Sequence, residues 1–460
     1  MQQTELFNID LIRRYDTAGP RYTSYPTAVQ FNEHYDEATY RDYAKNSNAS
    51  LNPLSLYVHI PFCDTVCFFC GCNKIATKDR TKSKPYLDYV NQEIIMQSAL
   101  FNPERIVTQL HWGGGTPTFL SHSEIRELIN SMKSNFQLLD DDTGEYSIEI
   151  DPRETKADTV AVLREVGFNR MSLGLQDFNP KVQKAVNRIQ SEEQTFGVLE
   201  AARQEGFKSI SIDLIYGLPH QTVDSFAQTL EQILSVKPNR LSIFNYAHLP
   251  TIFKPQRRIS EADLPSPDEK LAILQHTTNQ LIKAGYVYIG MDHFALPDDE
   301  LAQAQNNGTL YRNFQGYSTH ADCDLIGLGV SSIGKVGDSY SQNLKTLDKY
   351  YAQIDAGHIP IFRGITLNAD DKLRREVITK LMCNFYLDIP SVETEYQIDF
   401  KKYFAYELQE LAKQEQDGLL TITANRIEVL PVGRLLIRNI CMNFDIYLRK
   451  HKEQRFSKVI

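Results

Sequence analysis

Between residues 54 and 295 the chain alternates short runs of β-branched and apolar residues with longer stretches whose apolar positions recur at helical spacing. A short β-branched run marks a strand, and spacings of three and four mark a helix, so the pattern predicts a βα series. The strands fall at 54–60, 109–112, 147–150, 170–175, 209–216 and 240–247; the intervening helices include 123–136, 158–166 and 191–205. Such connections are long enough for crossover helices, which make neighbouring strands parallel. Gly167-Phe168, Gly206-Phe207 and Ala284-Gly285-Tyr286 read as helix C-caps turning into the next strand. Periodicity leaves open whether the sheet closes into a barrel.

The flanks differ from this core. Residues 19–27, Gly-Pro-Arg-Tyr-Thr-Ser-Tyr-Pro-Thr, hold too many turn formers for a helix or a central strand, so residues 1–53 read as an ordered arm or a flexible leader. Residues 54–364 form the central α/β domain, with its core at about 54–295 and an extension behind it. Beyond, 365–460 reads as a mainly helical C-terminal domain, with helices at 371–383 and 403–416 and a short hairpin after Asp417-Gly418-Leu419.

Composition narrows the function classes. Of 460 residues, 49 are Lys or Arg and 58 Asp or Glu, a net charge of −9 that excludes a broadly basic nucleic-acid coat. With 42% hydrophobic and 23% charged residues the chain is ordinary globular material. No apolar run approaches the roughly 18 residues of a membrane span. Met1 to Asp10 lacks a basic region followed by an apolar core, so a cytoplasmic location is expected. Seven cysteines, an odd number, do not make a disulfide framework. Cys323, Cys383 and Cys441 are scattered and read as small core residues; Cys63, Cys67, Cys70 and Cys72 lie within ten residues of one another.

That cysteine loop follows a predicted strand and precedes a helix, where ligand sites of α/β folds gather. Four thiolates could close a zinc tetrahedron. Structural zinc sites, however, usually draw paired ligands from two separate knuckles, and here all four thiols share one loop. A cubane iron-sulfur cluster is wider, so Cys63, Cys67 and Cys70, separated by three and two residues, can each take one corner. Three protein thiolates on four irons leave one iron open to a substrate or cosubstrate. Phe68-Phe69 within the loop is either core packing or a cover for the cluster and an adenine.

Other positions could belong to the same site. Gly113-Gly114-Gly115-Thr116-Pro117 ends the second strand and is either a tight turn or a place where backbone meets ligand. Glu149 and Gln176 end the third and fourth strands, and Asp213 lies in the fifth. Each could cap a helix, yet their recurrence at successive strands favours one polar pocket.

The cysteine spacing, with Phe69 before the third cysteine, resembles the radical S-adenosylmethionine (SAM) enzymes. Wider matches resemble the oxygen-independent coproporphyrinogen III oxidase family: Pro20-Arg21-Tyr22-Thr23-Ser24-Tyr25-Pro26-Thr27, Tyr57-Val58-His59-Ile60-Pro61-Phe62-Cys63, Cys70-Gly71-Cys72-Asn73, His111-Trp112-Gly113-Gly114-Gly115-Thr116-Pro117-Thr118 and Gly433-Arg434-Leu435-Leu436-Ile437-Arg438-Asn439-Ile440-Cys441. The resemblance implies a partial (βα)6 radical SAM barrel with an N-terminal arm and a mainly helical C-terminal domain. It implies one 4Fe-4S cluster on Cys63, Cys67 and Cys70, with Cys72 not a ligand. SAM contacts carried over from the family are Tyr57, Phe69, Gly114, Gly115, Thr116, Glu149, Gln176, Arg188, Asp213, Ala247 and Ile333; Arg188 is suited to a SAM carboxylate. Phe314, Gln315 and Ile333 match positions for a second SAM molecule. The implied reaction turns two propionates of coproporphyrinogen III into vinyl groups for heme biosynthesis. It needs a one-electron reductant such as a flavodoxin-type protein, and Arg21 and Arg312 are candidate partners for propionates. No nucleic-acid partner and no membrane span are expected, and the chain is expected to be a monomer. Related heme chaperones share the barrel but lack the 20–27 arm and carry Cys-Asp-Phe after the third cysteine position, so the oxidase is the better match.

Overall fold

All six expected strands are present in the computed structural model, which describes residues 6–450. They are β1 (Leu54–Ile60), β2 (Ile106–Gly114), β3 (Glu145–Ile150), β4 (Arg170–Gln176), β5 (Ser209–Tyr216) and β6 (Arg240–Asn245). Crossover helices α1 (Ser83–Ser98), α2 (His122–Asn135), α3 (Ala157–Glu165), α4 (Glu192–Gln204) and α5 (Val223–Val236) join them. Their order in the sheet is 6-5-4-3-2-1, every neighbouring pair parallel. β6 does not pair back to β1, so the barrel is partial. β7 (Asp324–Leu328) adds to β1 in parallel, and β8 (Ile333–Val336), β9 (Ser339–Asn343) and β10 (Ile361–Thr366) continue antiparallel. β2 runs past the expected 109–112 into Gly113 and Gly114, where glycine's low strand propensity hides the strand from sequence.

Side-chain alternation along β4 and β5 builds the site. Met171, Leu173 and Leu175 are buried, as are Ile210, Ile212 and Leu214. Ser172, Gly174, Gln176 and Asp213 therefore point to the other face. Burying each of those apolar side chains is worth about 1.5–3 kcal/mol, so the register that presents the polar set is fixed by the apolar one. Parallel strands also put all their C-terminal ends on one edge, which brings the loops after β1 to β4 together.

The chain divides into two units. One comprises Phe31–Ser266 and Asp322–Thr366 and holds β1 to β10 and α1 to α5. The other comprises the chain up to Gln30, Pro267–Ala321 and the chain from Leu367. Residues 1–5 and 451–460, the ends of the expected arm and C-terminal domain, lie outside the described residues. The second unit carries helices Pro267–Lys283, Ala369–Asn384, Ile389–Tyr396 and Ala405–Gln416. Its expected hairpin pairs Leu420–Ile422 with Arg426–Val429, and Tyr386–Asp388 joins that pair. Residues 19–27 form neither helix nor strand, but they are not a loose leader. Arg438 Nε donates to Pro20 O at 2.9 Å, Tyr22 OH to Asp445 at 3.0 Å and Arg21 to Asp292 at 2.9 Å. The first fifty residues also contain helices Ile9–Tyr15 and Glu37–Ser47, which turn-rich composition had not indicated. Asn8 and Asp36 cap their N-termini.

Candidate functional site

β1 ends at Ile60, and the four clustered cysteines follow on a loop closed by the parallel two-residue pair Phe62–Cys63 and Ile75–Ala76. The end of β2 clamps its base. Gly115 N donates to Ile60 O and Thr116 N to Phe62 O, each at 2.7 Å. A Cβ on Gly115 would lie 2.5 Å from Phe62 O; one on Gly114, whose φ is +115°, would lie 2.6 Å from the His59 ring. Only glycine allows that approach. Gly115→Ala is therefore expected to push the loop off β2 and lower cluster loading severalfold while far-UV circular dichroism stays unchanged. Iron and sulfide analysis after anaerobic reconstitution checks this.

Cys63, Cys67 and Cys70 all line one cavity of about 270 Å³, and Cys72 lines it with them. Phe69, Gly114, Gly115, Thr116, Glu149, Gln176, Arg188 and Asp213 line it too. Among the described residues no three His, Cys, Asp or Glu side chains converge closely enough to hold a single metal ion. Burial pushes the Cys63 thiol up to about 12 against a hydrogen bond from Thr116. Cys70 is lowered, first by the hydrogen bond from Cys72 and then by Lys74. Cys72 N also donates to Cys70 Sγ at 3.5 Å. Arg153 Nη2 and Arg188 Nη1 each reach Cys67 Sγ at 3.4 Å.

The carboxylates differ in their surroundings. Glu149 is 49% accessible because it faces the open cavity, while the protein encloses it from behind. Burial works to raise its pKa, but the hydrogen bond and charge of His111, with Gly114 N at 3.3 Å, hold it below the usual range. Asp213 has weaker support: burial raises it to about 6, opposed by hydrogen bonds from Ser242 and Ser172, with Glu149 raising it further. Gln176 ends β4 in the left-handed region at φ +74°, next to a register shift, which turns its side chain toward the cavity mouth. Asp151 takes Arg188 Nη1 at 2.9 Å, and Gly174 O takes Nη2. Arg188 Nε is buried without a hydrogen-bond partner among the described residues. Sequence suggests a bidentate grip on a carboxylate; in this arrangement both terminal nitrogens are engaged.

Phe68 and Phe69 both rest on Val182, Val186, Leu218, Tyr246 and Ile259, and Phe69 alone of the two also lines the cavity. Tyr57, Ala247 and Ile333 are not among the cavity-lining residues. Tyr57 stands one layer back, its ring stacked 5.9 Å from His111, which in turn lies 3.5 Å from Glu149. Ala247 follows β6, and Ile333 opens β8 with its backbone against Gly327. Sequence reasoning missed Asp151, Arg153, Ser172 and Lys74. Asp151 and Arg153 sit just beyond Glu149 at the end of β3, so the strand-end argument applies to them; the thiol that Arg153 touches is 86 residues away, beyond any local pattern.

Residues 57–233 match the radical SAM superfamily, and 367–436 match the HemN C-terminal domain. The chain is 55% identical over 460 residues, all of both chains, to the oxygen-independent coproporphyrinogen III oxidase of Pseudomonas aeruginosa. It is 53% identical over 455 residues to that of Escherichia coli K12, covering 99% of this chain and 98% of the relative. The solved coproporphyrinogen III oxidase (HemN) of Escherichia coli, described as a radical SAM enzyme, superposes with a TM-score of 0.92 at 51% identity, covering 97% of this chain and all of that one.

Proposed function

The chain belongs to the oxygen-independent coproporphyrinogen III oxidase family of the radical SAM superfamily, and from that membership we propose that the cavity at the ends of β1 to β4 is its reaction centre. The activity is the oxygen-independent oxidative decarboxylation of two coproporphyrinogen III propionates to vinyl groups, giving protoporphyrinogen IX in heme biosynthesis. Heme carriage, the work of chaperone relatives, is not its role. The observation that carries the placement is the convergence on one cavity of the thiols of Cys63, Cys67, Cys70 and Cys72, a glycine-lined backbone and the polar strand residues Glu149, Ser172, Gln176 and Asp213.

The residues present fit the implied groups: thiols as soft ligands, bare glycine backbone along the cavity wall, and a buried guanidinium nitrogen with no hydrogen-bond partner among the described residues. Cys63, Cys67 and Cys70 would hold the 4Fe-4S cluster. When bound, the cluster and SAM would supply the radical chemistry needed to activate an unreactive propionate β-C–H bond, with an external acceptor taking the electron released as CO₂ is lost. Glu149, held ionised, offers an acceptor to the SAM ammonium. Gln176 and Asp213 suit ribose hydroxyls, Arg188 Nε suits the SAM carboxylate, and Gly114, Gly115 and Thr116 bring backbone close. Phe69 offers an adenine face and excludes water. Tyr57, Ala247 and Ile333 complete the proposed contacts, and a second SAM molecule belongs to the same reading. Of the two basic candidates for substrate carboxylates, Arg21 already binds Asp292, whereas Arg312 keeps Nε and Nη1 buried without hydrogen-bond partners among the described residues. Arg312 is the better anchor for a propionate. A monomeric cytoplasmic enzyme with a flavodoxin-type reductant completes the proposal.

Anaerobic incubation of the reconstituted protein with coproporphyrinogen III, SAM and dithionite tests this. Protoporphyrinogen IX with 5′-deoxyadenosine is expected; SAM cleavage without vinyl products would overturn it.

Arg153 places a cation against a proposed cluster ligand without itself binding the metal. Hydrogen bonds and positive charge at a ligand sulfur favour the reduced state. Arg153→Met is expected to make the cluster midpoint potential more negative by roughly tens of millivolts. Asp151 retains Arg188 in that variant, so the network survives. An EPR-monitored redox titration measures the shift, and Arg153→Lys should restore part of it.

A further inference from the structure

Two segments back the cysteine loop. Phe68 N donates to Val186 O at 2.9 Å, and Asn187 Nδ2 donates to Val66 O at 2.8 Å. From the other segment Gln256 Nε2 donates to Phe69 O at 2.9 Å, and the Arg258 guanidinium lies 5.1 Å over the Phe68 ring. Neither 178–190 nor 247–260 contains an Asp or a Glu, in a chain of net charge −9. Lys181, Lys184, Lys254, Arg257 and Arg258 are all exposed there. Among the described residues none of the five has an ion-pair partner. The bordering Glu261 faces His248 at 3.7 Å. Ile189 and Ile252, 69% and 62% exposed, lie on the same two segments and are the most exposed of the large apolar side chains described.

Five unneutralised cations and two bare isoleucines on two segments that pack against one loop make a stretch of surface opposite in sign to the chain's net charge. It sits directly behind the loop that carries Cys67. Exposed charge together with exposed apolar side chains is the make-up of a transient protein interface. We propose that this surface docks an acidic protein carrying a one-electron centre, which reduces the cluster through the Cys67-Phe68 stretch of the loop. The inference rests on the reading of Cys63, Cys67 and Cys70 as cluster ligands. In the step, one electron leaves the reduced carrier and enters the oxidised cluster; no proton or covalent bond is exchanged. Electrostatic steering would speed the encounter and fade with salt, while the isoleucines hold the docked pair briefly.

The test uses the reconstituted holoenzyme, with reduced flavodoxin as the acidic probe and dithionite as the small-molecule reductant, and follows cluster bleaching by anaerobic stopped flow. Lys184→Glu with Arg257→Glu is expected to lower the second-order rate with flavodoxin about 10-fold or more and to flatten its salt dependence. Cluster reduction by dithionite, and dithionite-driven formation of 5′-deoxyadenosine, should stay at wild-type levels. An unchanged flavodoxin rate in the variant would overturn the proposal, as would an equal loss with dithionite or a wild-type protein that flavodoxin does not reduce. Salt-sensitive binding to phosphatidylglycerol vesicles together with an unchanged flavodoxin rate would assign the surface to a membrane instead. A protein that takes up no iron, or cleaves no SAM with dithionite, refutes the reading of the cysteine loop; one that does both yet ignores the charge reversals refutes the docking surface alone.

Discussion

Cys63→Ser, Cys67→Ser and Cys70→Ser, each made singly, are expected to lose the cluster and with it all SAM cleavage, while Cys72→Ser keeps its iron. The three thiols share a cavity with Cys72 but differ in support. Cys63 is enclosed and touched by the Thr116 hydroxyl at 3.6 Å, Cys67 faces two guanidinium groups, and Cys70 is backed by Lys74 and Cys72. A hydroxyl is a far poorer ligand for iron than a thiolate, so each replacement removes one of three anchors. The loop itself should survive, because backbone bonds from Gly115, Thr116 and Ile75 hold it. Cys72 is different: its backbone N–H and its thiol both support Cys70, a role that a serine hydroxyl can largely keep. Iron and sulfide content after anaerobic reconstitution, with EPR of the dithionite-reduced protein, separates the two classes. Loss of iron from Cys72→Ser to the same extent as from the others would make it a fourth ligand and remove the open coordination position on which SAM binding depends.

The βα series was legible because its strands carry two signals at once, β-branched residues within and glycine or proline at the ends; 54–60 and 209–216 coincide with β1 and β5 to the residue, whereas curvature into a partial barrel leaves no mark on periodicity. Helices Ile9–Tyr15 and Glu37–Ser47 were less visible, since one is short and the turn formers between them dominate the local composition. The site was legible wherever chemistry and strand ends coincide, as at Glu149 and Gln176. It was illegible where a side chain acts on a residue remote in sequence. Arg153 is an ordinary surface arginine in the sequence, and only the meeting of the β3 end with the cysteine loop gives it a thiol to touch. The sheet likewise explains why Tyr57 stands back from the cavity, because His111 on the neighbouring strand fills the space between it and Glu149.

Asp213→Asn is expected to stabilise the protein at pH 8 and to weaken SAM binding. Asp213 lies in β5 opposite Gly174, accepts a hydrogen bond from Ser172 at 3.0 Å, and shares its surroundings with Glu149 and Arg188. Burial is the main cause of its rise from 3.8 to about 6, with Glu149 adding to it. Above pH 6 the carboxylate is charged in folded and unfolded chains alike, and the folded state bears the penalty. As pH falls from about 6 towards 4 the folded chain takes up a proton that the unfolded chain does not, so this penalty disappears and stability rises. The cost at pH 8 is on the order of 2 kcal/mol after allowance for water in the cavity. Asn removes the charge and can still accept from one serine, so the melting temperature at pH 8 should rise by a few degrees, with no gain left near pH 4. Function should move the other way. A ribose hydroxyl donating to a carboxylate makes a charge-assisted bond worth about 1.5–3 kcal/mol, and its loss should weaken SAM binding about 10- to 100-fold. In the wild type, SAM affinity should fall as pH drops through 6, whereas in the variant this dependence should vanish. Isothermal titration of SAM into the reconstituted protein between pH 5 and 8 reads both effects. A variant that binds SAM as tightly as the wild type would remove Asp213 from the site, and one that melts no higher at pH 8 would show that the cavity, rather than the protein around it, solvates this carboxylate.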